Sequence, residues 1–173
     1  MKRILNLVLT AIVLSSCAGY TPLYGKLGEE MNKIGLKEVK MTNIEKNIGE
    51  RRIAQILHQK LSRIFSNQFD NDYNLYVELI PSESSIAARS DAIDTRKGIA
   101  IKAKILLKDI ETGNLVFSVN VNRNSSYTVQ EEPFATEAAR KKALESIVSA
   151  LSGDITQRTA LWLKGYAKNE DNK

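Results

Sequence analysis

The sequence predicts an α+β fold, a two-layer sandwich in which about four strands form an antiparallel or mixed sheet and two helices pack on one face. Two observations carry this prediction. In three segments after residue 72, apolar and polar residues alternate, which is typical of strands with one buried face. In two other segments apolar residues recur at helical spacing, so each helix presents one apolar stripe that needs a sheet to cover it. With 173 residues and 43% hydrophobic content, the chain suits one such domain with its own core.

The first half of the domain supplies one strand and one helix. Residues 36–44 alternate weakly and are predicted to form a short strand. Residues 50–69 predict an amphipathic helix, whose apolar stripe consists of Ile53, Ile56, Leu57, Leu61, Ile64 and Phe65. His58, the only histidine, lies at the flank of this stripe. A partly buried boundary position explains it better than a ligand or catalytic role does.

Three strands follow, at residues 73–80, 98–109 and 115–127. Residues 111–114, Glu-Thr-Gly-Asn, predict a turn that pairs the last two strands as a hairpin. Pro81 leaves two alternatives open, because either the second strand continues past a bulge or a long loop begins there. One face of this sheet is predicted to be apolar and the other polar.

A second helix is predicted over residues 135–164, with an apolar stripe that consists of Leu144, Ile147, Val148, Leu151, Ile155 and Trp162. Thr136 is the predicted N-cap, Gly153 is a candidate bend, and Gly165 is the predicted end. The polar tail at residues 166–173 is predicted to be disordered. The single α+β domain is therefore predicted to span residues 29–165.

The N-terminus predicts a lipoprotein signal peptide. Two basic residues precede an apolar stretch over residues 4–14, which is shorter than the about 20 residues that span a bilayer. The stretch ends in Leu14-Ser15-Ser16-Cys17, a lipobox in which an aliphatic and two small residues precede a cysteine. The alternative is an ordinary signal peptide with a chance cysteine. We expect residues 1–16 to be removed and Cys17 to carry the lipid anchor.

This prediction changes the charge and the compartment of the protein. The formal charge of +5 includes Lys2 and Arg3, so the mature chain carries +3. Ala18 after the lipidated cysteine favours the outer membrane over the inner one. Residues 17–28 then form an apolar and aromatic linker, which either packs on the domain edge or docks on the membrane or a partner.

The inventory of reactive residues argues against an enzyme. One Cys and one His exclude a disulfide framework and disfavour a multi-cysteine metal site or a Ser-His-Asp triad. No phosphate loop, HExxH, GxSxG or CxxC motif occurs. We therefore predict no catalytic residue, no cofactor and no metal. The mildly basic composition, with pI about 9.3, does not suggest a nucleic-acid partner.

The residues that most strongly suggest a binding function are basic. Arg89, Arg96 and Lys97 are predicted at the distal loop of the second and third strands, and Lys102 and Lys104 follow along the adjacent strand. Such a row can hold phosphate groups by charge-assisted hydrogen bonds. The alternative is a solvated, lysine-rich strand face that discourages edge pairing.

Several motifs resemble the LptE family of lipopolysaccharide (LPS) assembly lipoproteins in its alphaproteobacterial form. The start of the mature chain, Cys-Ala-Gly-Tyr-Thr-Pro-Leu-Tyr-Gly, resembles the family's Cys-Gly-Phe-x-Pro-Leu-Tyr-Gly. It departs by an inserted Ala18 and by Tyr20 where Phe is usual. Shorter similarities extend over nearly the whole mature chain, at Thr95-Arg96, Thr112-Gly113, Ser126-Tyr127 and residues 134–139.

The resemblance implies a function. Family members place a sheet and two helices as a plug inside LptD, the large outer-membrane LPS-assembly barrel, assist its assembly, and contact LPS. This implies a non-enzymatic, lipid-anchored protein on the periplasmic side of the outer membrane. Arg96 and Lys97 are the candidate LPS-binding residues, supported by Arg89, Lys102 and Lys104. The alternative is another envelope lipoprotein, a transporter accessory or a lipid- or peptidoglycan-binding module.

Overall fold

The computed structural model describes residues 31–42, 48–65, 71–88 and 94–170. The predicted signal peptide, Cys17, the linker and Arg89 lie outside these residues. The elements follow the predicted order of strand, helix, three strands and helix. They are β1 (Ile34–Met41), α1 (Ile48–Leu61), β2 (Tyr73–Ala88), β3 (Asp94–Asp109), β4 (Leu115–Thr128) and α2 (Pro133–Glu170).

The four strands form one mixed sheet in the order β1-β2-β3-β4, which confirms the predicted fold class. β1 is parallel to β2, and β2, β3 and β4 form an antiparallel meander. Parallel neighbours need a crossover connection, and α1 lies in that connection. The helices pack on the face that carries the buried side chains.

The structure settles the alternatives at Pro81, because β2 continues to Ala88. Pro81 pairs with Ile101 inside the ladder to β3. On its other side β2 pairs with β1 only as far as Leu79. Beyond that point the described residues place no strand beside β2, so a proline without an N–H group is tolerated. β2 and β3 are therefore 16 residues each, longer than predicted.

The first strand and helix differ from their predicted bounds. β1 runs from residue 34 to 41 instead of 36 to 44. α1 ends at Leu61, although the apolar spacing continues to Phe65. The amides of Ile64 and Phe65 both donate to the Leu61 carbonyl, so the chain continues in turns. Phe65 is buried there nonetheless, which explains why periodicity alone placed it in the helix.

The last helix begins earlier than predicted. The Thr136 amide donates to the Glu132 carbonyl, which makes Glu132 the cap and places Pro133 in the first helical position. The hydroxyl of Thr136 instead bonds to the amide and the carbonyl of Gln130. The N-cap prediction for Thr136 was therefore wrong, since a proline at the first position moves the start of the helix upstream.

The same helix also ends later than predicted. α2 passes both Gly153 and Gly165 and is described as far as Glu170. A glycine inside a helix costs about 1 kcal/mol relative to alanine, too little to end a helix whose neighbouring turns are buried. Within the described residues no helix has the length and apolar character of a membrane-spanning segment.

The core lies between the inner face of the sheet and the two helices. Alternate residues of β2 and β3 are buried, and the predicted stripes of both helices face them, apart from Ile64, which lies beyond α1 and is exposed. Fully buried members include Leu75, Leu79, Ile101, Ile105, Leu57, Leu61, Ile147 and Leu151. Burying a side chain of this kind contributes about 1.5–3 kcal/mol, so this layer supplies the main driving force for folding.

Candidate functional site: the outer face and the distal end of the sheet

The face of the sheet that the helices leave uncovered, here called the outer face, is polar. On β3 the odd-numbered residues point into the core, so the even-numbered ones form this face. Lys102 and Lys108 are exposed and Lys104 is half-buried. The strand pairing places beside them Glu38, Lys40, Asn74, Tyr76, Glu78, Ser118, Asn120, Asn122 and Asn124. The face is thus mostly polar, as predicted, with Ile80 and Leu106 as half-buried apolar members.

The lysines of the outer face differ in their partners. Lys40 forms an ion pair with Glu78, with 3.2 Å between Nζ and Oε1. The ammonium of Lys108 lies 5.3 Å from the centre of the Tyr76 ring. Lys102 and Lys104 sit opposite Asn122 and Asn120 on β4, and the described residues give neither an acidic partner within 4.0 Å. On β2, however, half-buried Lys104 lies opposite Glu78, whereas exposed Lys102 lies opposite Ile80. Of these two lysines, Lys102 is therefore the one that presents its charge to solvent.

Arg96 lies at the distal end of this face. By distal end we mean the end of the sheet where β2 finishes, β3 begins and α2 starts. Its Nε and Nη2 donate to the Ser126 hydroxyl over 3.0 and 2.7 Å. A hydroxyl orients the guanidinium fork without neutralising its charge. An exposed, oriented cation of this kind can hold a phosphate or carboxylate.

The structure separates the predicted basic residues into groups. Arg96 and Lys97 lie in β3 and not in a loop, because the hairpin extends beyond the predicted strands. Neighbouring residues of a strand point to opposite faces, so half-buried Lys97, paired with Ser85 and Tyr127, projects towards the helices. Lys102 and Lys104 share the outer face with Arg96. At about 3.3 Å per residue, Lys102 lies about 20 Å from Arg96 along the strand.

The distal end also exposes apolar side chains that the sequence analysis missed. Ile86 is 57% exposed and Phe134, in the first turn of α2, is 82% exposed. Ile86 lies over Gly98, since a Cβ built on Gly98 would be 2.9 Å from its Cδ1. An isoleucine inside the serine-rich residues 82–90, and a phenylalanine directly after Pro133, were the available signals. The distal end thus combines a cation with apolar surface.

On the inner face of the sheet, at its distal end, Tyr127, Glu83 and Arg140 form a polar cluster. The Tyr127 hydroxyl donates to the Glu83 carboxylate, and Arg140 Nε lies 3.8 Å from the same oxygen. Glu137 is 3.7 Å from Arg140 Nη1. Burial and the neighbouring Glu83 raise the pKa of Tyr127 to about 12. The cluster joins β2, β4 and α2 through polar contacts.

Nearer the middle of the sheet, an ion pair between Arg123 of β4 and Asp154 of α2 connects the helix to the strand. The Arg123 guanidinium donates two hydrogen bonds to Asp154, of 2.5 and 2.6 Å. The hydrogen bonds from Arg123 lower the pKa of Asp154 and so favour its charged form. Fork-to-carboxylate geometry of this kind is directional, so it also sets how α2 lies along the sheet.

The described residues contain no group of three His, Cys, Asp or Glu side chains that could hold a metal ion. His58 is exposed on α1, beside an open groove that includes Val39 and Gln59, and not at a partly buried boundary. What the arrangement can do chemically is bind anions by charge and present a polar face.

Comparison with known proteins relates the fold to bacterial lipoproteins. A scan against protein-family models and a search of curated proteins both give no match. Among solved structures, the chain is similar to a candidate lipoprotein from Caulobacter crescentus, with a TM-score of 0.56, 18% identity, and coverage of 82% of this chain and 98% of that one. A Xanthomonas campestris protein of family DUF330 gives a TM-score of 0.56, 12% identity and coverage of 78% and 87%.

The uncharacterized lipoprotein B of Nitrosomonas europaea is also similar, with a TM-score of 0.53, 10% identity, and coverage of 77% of this chain and 88% of that one. At these identities the likeness concerns the fold. The βαβββα sandwich of this chain is therefore one that solved bacterial lipoproteins adopt.

Proposed function

We propose that this protein is a lipid-anchored, non-enzymatic subunit of the outer-membrane LPS translocon, which sits inside an LptD-type barrel and assists its assembly. One observation carries the proposal, namely a sheet face of amides, hydroxyls and lysines that the domain's own helices leave uncovered. The lumen of a large outer-membrane barrel is polar, so the amides, hydroxyls and lysines of such a face can find polar partners there.

The lipobox and the fold give independent support. A lipid on Cys17 would hold the domain at the membrane in which such a barrel resides. The structural neighbours include lipoproteins, and the motif at the start of the mature chain resembles the LptE family. The runner-up is another envelope lipoprotein of the same fold, a transporter accessory or a lipid- or peptidoglycan-binding module.

Within this function, we propose that the distal end contacts LPS. Lipid A and the inner core carry phosphates, which match the exposed guanidinium of Arg96 that the Ser126 hydroxyl orients. Lys97 is the second candidate from the other side of β3, and Lys102 and Lys104 are supporting charges farther along the outer face. Arg89, also a supporting candidate, lies outside the described residues.

Copurification tests the translocon proposal. The tagged full-length protein is isolated from detergent-solubilised outer membranes, and we expect a barrel-sized protein at near-equal amount. Asn122→Trp places a large ring on the exposed outer face and should reduce that amount several-fold. Lys142→Trp, on the exposed surface of α2, should not. If no barrel protein copurifies with the wild-type chain, the proposal is wrong and the runner-up stands.

Binding of purified LPS tests the distal end. Arg96→Ala should weaken binding several-fold and reduce its dependence on salt, because ion pairs with phosphates are screened. Arg63→Ala, an exposed arginine after α1, is the matched control and should leave the affinity unchanged. Equal affinities for both variants would leave Arg96 as a solvated surface charge.

A further inference from the structure

The helical layer carries a groove that the proposed function does not use. It lies along the C-terminal half of α2, on the side of the domain opposite the outer face, and has a volume of about 690 Å³. Its apolar and small lining residues are Met31, Ile64, Ala150, Gly153, Ala160 and Leu161. Two of them are large apolar side chains left partly in water, since Ile64 is 37% and Leu161 52% exposed.

The chain itself offers an occupant for this groove. Met31, the first described residue, is 6% exposed and forms part of the groove wall, so the preceding residues start from the groove. Those residues are apolar and aromatic, with Tyr20, Leu23 and Tyr24 before the first charge at Lys26. A segment of this composition is expected to pack against the protein rather than to remain a solvent-exposed linker.

The dimensions of the groove and the segment agree. The groove follows α2 from Ser149 to Lys164, which at about 1.5 Å per residue is about 22 Å. Seven or so extended residues cover that length at about 3.3 Å each, which matches residues 20–27. Gly153 lies in the groove, and a Cβ built on it meets nothing within 4 Å. The helix backbone is thus open to close approach at this point.

We propose that residues 20–27 dock into the groove along α2. The lipid-bearing Cys17 is then joined to the docked segment by only two residues, Ala18 and Gly19. The domain is held against the membrane with the C-terminal half of α2 on the anchored side. The docking contact involves neither the outer face nor the distal end, so it depends on neither a barrel partner nor LPS. Only the orientation towards the membrane rests on the lipid anchor of the proposed function.

Cysteine cross-linking tests the docking. Leu23→Cys is combined with Ala150→Cys or with Gln157→Cys, two groove positions on α2, in the full-length lipoprotein, where acylation occupies the thiol of Cys17. A disulfide needs Cα atoms within about 7 Å. We expect at least one groove pair to form ten-fold more disulfide than the control Leu23→Cys with Lys108→Cys, which lies on the outer face. Equal cross-linking of groove and control pairs would overturn the proposal.

Limited proteolysis provides a second, independent measurement. Trypsin should cleave slowly after Lys26 in the wild-type protein, because a docked segment must open before it enters a protease. Ala150→Trp fills the groove and should speed this cleavage about ten-fold. Arg158→Trp, an exposed position of α2 outside the groove, should leave the rate unchanged. Rapid cleavage of the wild-type chain, or equal rates in both variants, would show that the segment is not docked.

Discussion

The two ends of the sandwich are held together by different chemistry. At the end where β2 begins and β3 finishes, here the proximal end, Trp162 of α2 packs between two aromatic side chains of the sheet. Its ring centre lies 5.2 Å from that of Tyr73, edge to face, and 5.8 Å from that of Phe117. At the distal end, α2 meets the sheet through Glu83, Tyr127 and Arg140.

This difference assigns stability mainly to the proximal end and recognition to the distal end. Apolar burial contributes more free energy per contact than polar pairs that give up water to form. The proximal end therefore anchors the helix, while the distal end is free to carry charge and exposed apolar groups.

Trp162→Ala should give the largest effect, because it removes the ring that joins α2 to both strands. We expect the free energy of unfolding to fall by about 3 kcal/mol. Urea denaturation followed by far-UV circular dichroism measures it, with Lys142→Ala as an exposed control on the same helix. A loss below 1 kcal/mol would contradict the assignment of the proximal end as the anchor.

Tyr127→Phe should reduce stability by about 1 kcal/mol, because it leaves Glu83 without its hydrogen bond. The raised pKa also predicts a pH dependence. Since the folded-state pKa of about 12 exceeds the unfolded value near 10, this stabilisation is complete below pH 10 and is lost as the pH rises towards 12. Comparing unfolding at pH 9 and pH 11 should show a smaller alkaline loss in Tyr127→Phe than in the wild type. Identical losses would exclude the coupling.

Asp154→Asn tests the contact between the two ends. We expect a loss of about 1 kcal/mol at neutral pH, since Arg123 is half exposed and its ion pair is partly screened. The depressed pKa of Asp154 means that its stabilisation is present above the unfolded value near 3.9 and is lost as the pH falls through the folded value. Thermal melts between pH 2 and pH 6 measure this, and the variant should show a shallower acid decline. An unchanged slope would assign that decline to other carboxylates.

Gly98→Ala should give the smallest effect, below about 1 kcal/mol. The added methyl group would meet the flexible end of Ile86, which can move into solvent. Combining it with Ile86→Ala should remove the loss, and a double-mutant cycle from thermal melts measures the coupling. Additive effects would show that the two residues do not touch.

The sequence predicted which residues face the core better than where each strand or helix begins and ends. Alternation in the strands and stripes such as Ile147 and Leu151 report burial directly, and these predictions were confirmed. The limits depend on contacts that periodicity does not contain. Pro81 could be assigned to β2 only with knowledge of where β1 stops, and the start of α2 depended on Pro133 rather than on Thr136.

The candidate site was predicted in composition but not in arrangement. The basic residues were found because charge is visible in a sequence. Their division between two faces followed from the continuation of β3 through Arg96 and Lys97, which the prediction had placed in a loop. The Glu83–Tyr127–Arg140 cluster joins residues from three elements that are far apart in the sequence, so no local sequence pattern predicts it.

The parallel pairing of β1 with β2 has a consequence for how the sheet is assembled. β2, β3 and β4 are joined by short connections and can pair as soon as they meet, whereas β1 must wait for the crossover through α1. We expect the meander to form first and β1 to join last. The last strand to enter is also the one nearest to Cys17, so in a lipid-anchored chain the final step of folding would take place beside the bilayer.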